Sequence, residues 1–133
     1  MSAFKFFRHK GGTSAFAAIT LEPHAGLDGG VEWMSGVKSF EPLYGEAVAS
    51  GVRDALAWHT QEGGDVIAFV VIALEELLVD TKPDAVRCAA TMAAWKALGH
   101  DESGIRFVFE GEWIACRNSP PREPDFPASA SRG

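Results

Sequence analysis

The sequence predicts an α/β (α+β) fold, a two-layer sandwich in which two helices cover one face of a mixed sheet of four to five strands. Nine consecutive apolar residues, 66–74, are too few for a membrane span of about 20 residues, and their β-branched content favours a buried strand. An alanine-rich segment with helical spacing follows them, and segments with the two-residue period of strands lie on either side. The order strand, strand, helix, strand, helix, strand then requires two packed layers.

The first third of the chain predicts an antiparallel hairpin. Residues 15–22 and 31–37 each alternate with the two-residue period of a strand. Turn-forming residues dominate the connection 23–30, so we expect these two strands to be neighbours in the sheet. The segment 4–7 also has strand propensity, but the glycine pair 11–12 is expected to interrupt any strand that begins there.

A first helix is predicted from about Ser39 to His59, with Ser39 as its cap and Pro42 in its first turn. Its apolar face repeats at helical spacing through Tyr44, Ala47, Val48, Gly51, Val52, Ala55 and Leu56. Glycine at position 51 costs about 1 kcal/mol relative to alanine inside a helix. We therefore expect a close backbone contact at Gly51.

The apolar strand 66–74 is expected at the centre of the sheet, buried on both faces. A second helix follows from Thr81 to Gly99, because threonine, proline and an acid form a start signal and glycine a stop signal. Small side chains on its buried stripe predict a close approach of helix and sheet: Ala85, Cys88, Ala89 and Met92.

The last strand is predicted at 105–110, with 113–116 pairing back after a turn at Glu110 and Gly111. From residue 117 onward the chain has four prolines and little to bury, which predicts a disordered tail, 117–133. Residues 1–116 are therefore expected to form a single domain.

Composition sets limits on function. The 133 residues carry a net charge of −6, which opposes general attraction to phosphate backbones. The two cysteines, Cys88 and Cys116, match no zinc spacing or disulfide framework and are expected to be free thiols. The N-terminal residues show no signal peptide, so we expect a cytoplasmic protein that does not insert into a membrane. The four tryptophans are expected in the core or at its edge.

No motif in the sequence indicates catalysis. The histidines lie in loops or at element ends without metal spacing and are interpreted as solvated surface groups: His9, His24, His59 and His100. Glu75 and Glu76 would point to opposite sides of a continuing strand, which disfavours a shared-proton pair. The glycine pair 11–12 has no following lysine and precedes a strand, unlike a phosphate-binding loop. We therefore expect no enzymatic activity, cofactor or metal.

Three blocks of sequence resemble domain IV of translation elongation factor G. The first is residues 9–17 continuing to 20–23, similar to that domain's opening Gly-Gly strand that ends in proline. The second is the helix 44–56, similar in Tyr44, Ala47, Val48, Gly51, Val52, Arg53, Asp54, Ala55 and Leu56. The third is Val79-Asp80-Thr81 followed by Ala85, Arg87, Ala89, Ala90, Met92 and Ala93. Their order and spacing make the resemblance specific over residues 9–98.

The resemblance implies a fold related to the second domain of small-subunit ribosomal protein five, with a left-handed βαβ crossover where general chirality predicts a right-handed one. It also implies two tip segments, 35–40 and about 75–82, which in the full factor contact transfer RNA and messenger RNA. The partner-binding residues implied here are Ser35, Gly36, Lys38, Ser39, Leu77, Leu78, Asp80, Thr81 and Lys82. No phosphate loop is present, so we expect no GTP binding by this chain.

The second tip segment departs from the family pattern, with Glu75-Glu76-Leu77-Leu78 where the family has Gly-Ser-Tyr-His. Two hypotheses follow. The first is a non-enzymatic, stand-alone homologue of domain IV that associates with the ribosome or structured RNA through these residues and a basic patch at Lys5, Arg8, His9 and Lys10. The alternative is a module that binds another protein or itself and has lost RNA binding, as the acidic tip suggests.

Overall fold

The computed structural model describes residues 1–10, 12–24, 30–77 and 79–118. It shows an α+β two-layer sandwich, as the sequence predicts. The strands are β1 (Ser2–Lys10), β2 (Thr13–His24), β3 (Val31–Trp33), β4 (Ala68–Glu75), β5 (Ile105–Phe109) and β6 (Trp113–Arg117). The helices are α1 (Glu41–Gln61) and α2 (Pro83–Ala97), with short 3₁₀ segments at Ser35–Phe40 and Glu102–Gly104. The predicted tail lies outside the described residues from position 119 onward. No helix in the described ranges is both long and apolar enough to cross a membrane.

The main sheet has the order β1-β2-β4-β3, in which β3 and β4 are parallel and the other pairs antiparallel. The predicted hairpin of 15–22 with 31–37 is therefore wrong, because β4 lies between these strands. Instead, β1 pairs with β2 along its whole length, from Ser2 opposite Leu21 to Lys10 opposite Thr13. Gly12 has φ +80°, so a glycine expected to interrupt a strand makes the turn between two strands.

The central position of β4 is confirmed, since it lies between β2 and β3, but its burial on both faces is not. The side chains of Phe69, Val71 and Leu74 are buried, whereas Val70 is half-buried and Ala73 exposed. A β-bulge opposite the Thr20–Leu21 step places Leu74 rather than Ala73 on the core face. Because both helices pack on that one face, the opposite face of β4 has no covering layer among the described residues.

The helix ends differ from the predicted caps. Ser39 belongs to the 3₁₀ segment, and the residue before α1 is Phe40, whose side chain makes no capping hydrogen bond. Lys82, rather than Thr81, is the cap position of α2. Gly99 has φ +94°, as the predicted left-handed stop requires, although the helix itself ends at Ala97.

The predicted close approach at Gly51 is confirmed. A Cβ atom at this position would lie 2.5 Å from the Arg87 carbonyl oxygen and 3.0 Å from the Ala90 Cβ. Beside this crossing, the Arg87 guanidinium donates to the Asp54 carboxylate at 2.8 Å. The alanine-rich stripe of α2 therefore packs directly on α1 as well as on the sheet.

The C-terminal strands form a hairpin with Gly111 in its turn at φ +79°, as predicted. They make a separate two-stranded sheet instead of extending the main one. The Phe107 ring packs against Phe6 at a centroid distance of 4.9 Å, and the Trp113 ring at 5.6 Å. Among the four tryptophans, Trp95 is buried and the other three pack partly buried against the core, as expected. The left-handed crossover of β3-α1-β4 stays a prediction from the resemblance.

Candidate functional site

The two predicted partner-binding segments lie at one end of the sheet, where strands β3 and β4 finish. Because β3 and β4 are parallel, their carboxyl ends meet there. The segment Ser35–Phe40 follows β3; Val37 is buried beneath it, and the Met34 amide donates to the Val71 carbonyl at 3.1 Å. The four predicted contact residues of this segment are all exposed: Ser35, Gly36, Lys38 and Ser39. The segment is therefore anchored by its apolar side chain and presents its polar ones to solvent.

A side-chain hydrogen bond joins α1, which follows the first predicted segment, to the second predicted segment. The Tyr44 hydroxyl, in the first turn of α1, donates to the Glu76 carboxylate at 2.6 Å. Burial, together with this carboxylate, raises the pKa of Tyr44 to about 12, so the phenol keeps its proton. The structure thus brings the start of α1 and the end of β4 together.

The connection from β4 to α2 is tied across the start of β2. The Thr81 hydroxyl accepts from the Leu77 amide at 2.9 Å and donates to the Phe16 carbonyl at 2.6 Å. The Phe16 amide donates in turn to the Asp80 carbonyl at 3.1 Å. Thr81, predicted as a contact residue, therefore uses its hydroxyl within the fold.

The remaining predicted residues of this connection differ in exposure. Leu77 is 46% exposed and its neighbour Val79 is 80% exposed. Lys82 is exposed and Asp80 half-buried, while Leu78 lies outside the described residues. Two large apolar side chains thus face solvent beside one lysine.

The first tip segment is electrostatically neutralised. Its single cation, Lys38, pairs with Glu41 at 3.0 Å. At the same end of the sheet, the Glu76 carboxylate accepts the hydrogen bond from Tyr44. The segment Ser35–Phe40 therefore offers little attraction to phosphate, which leaves the exposed Lys82 as the cation of the second segment.

A cavity of about 290 Å³ lies beside Lys82, where three turns converge. They are the β1–β2 turn, the β4–α2 connection and the β5–β6 turn. Lys10 lines the cavity from the first turn, and Phe109, 42% exposed, lines it from the third. The residues that line this three-turn cavity are Lys10, Thr13, Ser14, Ala15, Asp80, Lys82, Asp84, Phe109, Gly111 and Trp113. Two lysines, two hydroxyls and two aromatic rings are thus gathered from segments up to about a hundred residues apart.

One of the two carboxylates in this cavity is held by backbone amides. The Asp84 carboxylate accepts from the Ala85 amide at 2.9 Å and from the Trp113 amide at 2.8 Å. These bonds spread its negative charge onto N–H dipoles at the start of α2 and of β6. Asp80 also lines the cavity, so two carboxylates face the two lysines, Lys10 and Lys82.

Comparison with known proteins shows a fold and no family. No family model matches the chain, and no curated protein matches it. A crystal structure of a Thermus thermophilus protein superposes with a TM-score of 0.57 at 22% identity. The superposition covers 71% of this chain and 14% of that one, so the chain spans about a seventh of the length of the longer protein. At this identity the likeness establishes the architecture alone.

Sequence reasoning missed a histidine pair. His59 and His100 were interpreted as solvated surface groups, but His59 Nδ1 lies 2.8 Å from His100 Nε2, and the His100 ring stacks on Trp95 at 3.7 Å. Burial lowers the pKa of His100 against the opposing effect of Glu62. The order of elements could have indicated this pair. Helices α1 and α2 each follow one of the two parallel strands and run in the opposite direction, so both helices end near the amino ends of these strands. His59 and His100 lie at those two ends.

The cysteines and the acidic groups give no sign of catalysis in the described ranges. Cys88 is buried, and burial raises its thiol pKa to about 12, so it stays protonated near neutral pH. Both cysteines are free, as predicted. Within residues 1–10, 12–24, 30–77 and 79–118, no group of three or more histidine, cysteine or carboxylate side chains is placed to hold a metal ion.

Proposed function

We propose that this chain is a non-enzymatic, cytoplasmic homologue of domain IV of elongation factor G, which associates with single-stranded or looped RNA of the translation apparatus. The contacts between the three sequence blocks that resemble this domain support a shared fold. Gly51 of the second block contacts Arg87 of the third, and Phe16 of the first bonds Asp80 of the third. The matching residues are thus those that pack the layers together, which is what a shared scaffold requires.

The three-turn cavity is the single observation that supports RNA binding. Lys10 and Lys82 can each neutralise a phosphate, while Phe109 and Trp113 add aromatic side chains to the lining, the residue type on which unpaired bases stack. Its volume of about 290 Å³ lies near the lower end of the range for small-molecule sites, roughly 300–1,000 Å³. A single unpaired nucleotide fits this size better than a duplex does. The site also lies beside the second predicted tip segment, so Lys82 belongs to both.

Salt dependence tests this proposal. Two phosphate contacts on a single strand give a slope of log affinity against log salt of about −1.4, that is about −0.7 for each contact. Raising the salt from about 50 to about 200 mM should therefore weaken binding of a labelled oligouridylate about sevenfold. Lys10→Ala or Lys82→Ala should each reduce the slope to about −0.7. Lys38→Ala should leave it unchanged because that lysine already pairs with Glu41.

Fluorescence anisotropy with the RNA, and co-sedimentation with purified ribosomes over the same salt series, supply the measurements. Binding that is indifferent to salt, or equal losses in Lys38→Ala and Lys82→Ala, contradicts the proposed site. Absence of any RNA or ribosome binding at the lowest salt concentration contradicts the function itself.

A second candidate, a module that binds another protein, is favoured by one observation. Leu77 and Val79 expose 46% and 80% of their surface in the same tip connection, and the net charge of the chain is −6. A contiguous exposed apolar patch marks a protein contact, and this candidate has Leu77 and Val79 as the apolar part of such a patch. Replacement of both by serine would weaken a protein complex and leave the salt-dependent RNA affinity unchanged, which separates the two candidates.

A further inference from the structure

Strand β1 is a long edge of the main sheet. Its nine residues, Ser2–Lys10, pair with β2 on one side, and no second strand pairs with it among the described residues. An edge of this length exposes a row of backbone donors and acceptors that can accept another strand. Natural proteins usually keep such edges short or blocked, so a nine-residue edge calls for a physical account.

Two side chains identify which backbone groups face outward. Lys96 Nζ donates to the Ala3 carbonyl at 3.2 Å, and the Arg8 guanidinium donates to the Phe7 carbonyl at 2.9 Å. These carbonyls therefore point away from β2. Because backbone groups alternate along an antiparallel strand, those of Lys5 point the same way. The outward carbonyls of Ala3 and Phe7 thus accept from basic side chains rather than from a strand, and an added strand would replace these two bonds.

The positive charge of strand β1 favours a particular kind of added strand. Residues 2–10 include Lys5, Arg8 and Lys10 but no acidic residue, in a chain whose net charge is −6. The Arg8 guanidinium is held 5.2 Å from the centroids of the Phe6 and Phe107 rings, which keeps it at the edge. A second copy of β1 would bring like charges together, whereas an acidic strand would meet opposite ones.

We propose that the free edge of β1 binds an extended acidic peptide segment, which adds to the sheet as a further strand. Backbone hydrogen bonds to the outward groups of Ala3, Lys5 and Phe7 would supply affinity, and the basic side chains would supply selectivity. Arg8 and Lys10 are two residues apart and share one face, so acidic residues spaced two apart in the partner would pair with them. This site is separate from the three-turn cavity, except that Lys10 borders both.

Proline at an outward position tests strand addition directly. Phe7→Pro removes an amide that faces away from β2 and so spares the existing ladder, whereas Phe7→Ala keeps that amide and removes the ring. The probe is a fluorescein-labelled octapeptide of alternating glutamate and valine, measured by anisotropy against the full chain. We expect Phe7→Pro to weaken binding at least tenfold and Phe7→Ala to change it less than threefold.

A second arm does not depend on the folding of any variant. The same octapeptide N-methylated at every residue should bind the unaltered protein at least tenfold more weakly, because it keeps every side-chain charge but loses its backbone donors. Equal affinity of the two peptides, or no binding of the first, overturns the proposal. So does tighter binding of a peptide copied from residues 119–133, or a dimer that Phe7→Pro dissociates. The RNA affinity should be unchanged by Phe7→Pro, so the two proposals fail independently.

Discussion

The crossing of α1 and α2 at Gly51 gives a prediction that runs against intrinsic helix propensity. In an exposed helix, replacing glycine by alanine stabilises the fold by about 1 kcal/mol. At Gly51 the added methyl would lie 2.5 Å from the Arg87 carbonyl oxygen and 3.0 Å from the Thr91 amide nitrogen, both backbone atoms. Relief requires the two helices to separate, and overpacking of this kind costs roughly 1–3 kcal/mol, against which the propensity gain is about 1 kcal/mol. We expect Gly51→Ala to lower the free energy of unfolding by up to about 2 kcal/mol.

Gly45→Ala is the matched control. Gly45 lies in the same helix, and its added methyl would meet only the Glu41 Cγ at 3.2 Å, part of a flexible side chain. This variant should therefore gain stability, by about 0.5–1 kcal/mol. Urea denaturation followed by circular dichroism measures both changes. If Gly51→Ala is as stabilising as Gly45→Ala, the helices do not approach as closely as described, and the explanation of this glycine fails.

Three further predictions concern single side chains. Thr81→Val leaves the Leu77 amide and the Phe16 carbonyl without their hydrogen-bond partner, so it should lower the free energy of unfolding by about 1–3 kcal/mol in urea titrations. A change below about 0.5 kcal/mol would contradict these two hydrogen bonds. Because the pKa of His100 is lowered in the folded protein, the unfolded chain takes up a proton at a higher pH than the folded one. The free energy of unfolding should therefore fall as the pH drops below about 6.5, by at most about 1.4 kcal/mol per pH unit. This pH dependence should weaken in His100→Gln but not in His24→Gln, a control at an exposed histidine. In native protein at about pH 8, a thiol reagent should modify Cys116 much faster than Cys88, and comparable rates would show that Cys88 is not sealed in the core.

Local pattern predicted the elements well, because the relevant signals lie within each element. The position of Gly51 in an apolar stripe predicts the backbone contact that the structure shows, and Gly99 and Gly111 have the positive φ expected of a helix stop and a hairpin turn. The apolar run 66–74 was correctly placed inside the sheet.

Pairing between elements was harder to predict. Adjacency along the chain suggests that β2 and β3 are neighbours. Instead, β3 has only three residues and pairs with β4, because α1 carries the chain back so that the two strands run parallel. The glycines before Thr13 were interpreted as an interruption, although a two-residue glycine connection also suits a hairpin. The cavity depends on Lys10, Lys82 and Phe109 meeting from three turns, which no spacing in the sequence encodes.

The Asp84 carboxylate joins two parts of the chain that share no strand pairing. By accepting the amides of Ala85 and Trp113, it fastens the C-terminal hairpin to the first turn of α2. The same hairpin carries Phe109, so this junction, together with the packing of Phe107 and Trp113 on Phe6, positions that wall of the three-turn cavity. Asp84 also lines that cavity, so the affinity for an anion there and the order of the hairpin are coupled through one carboxylate.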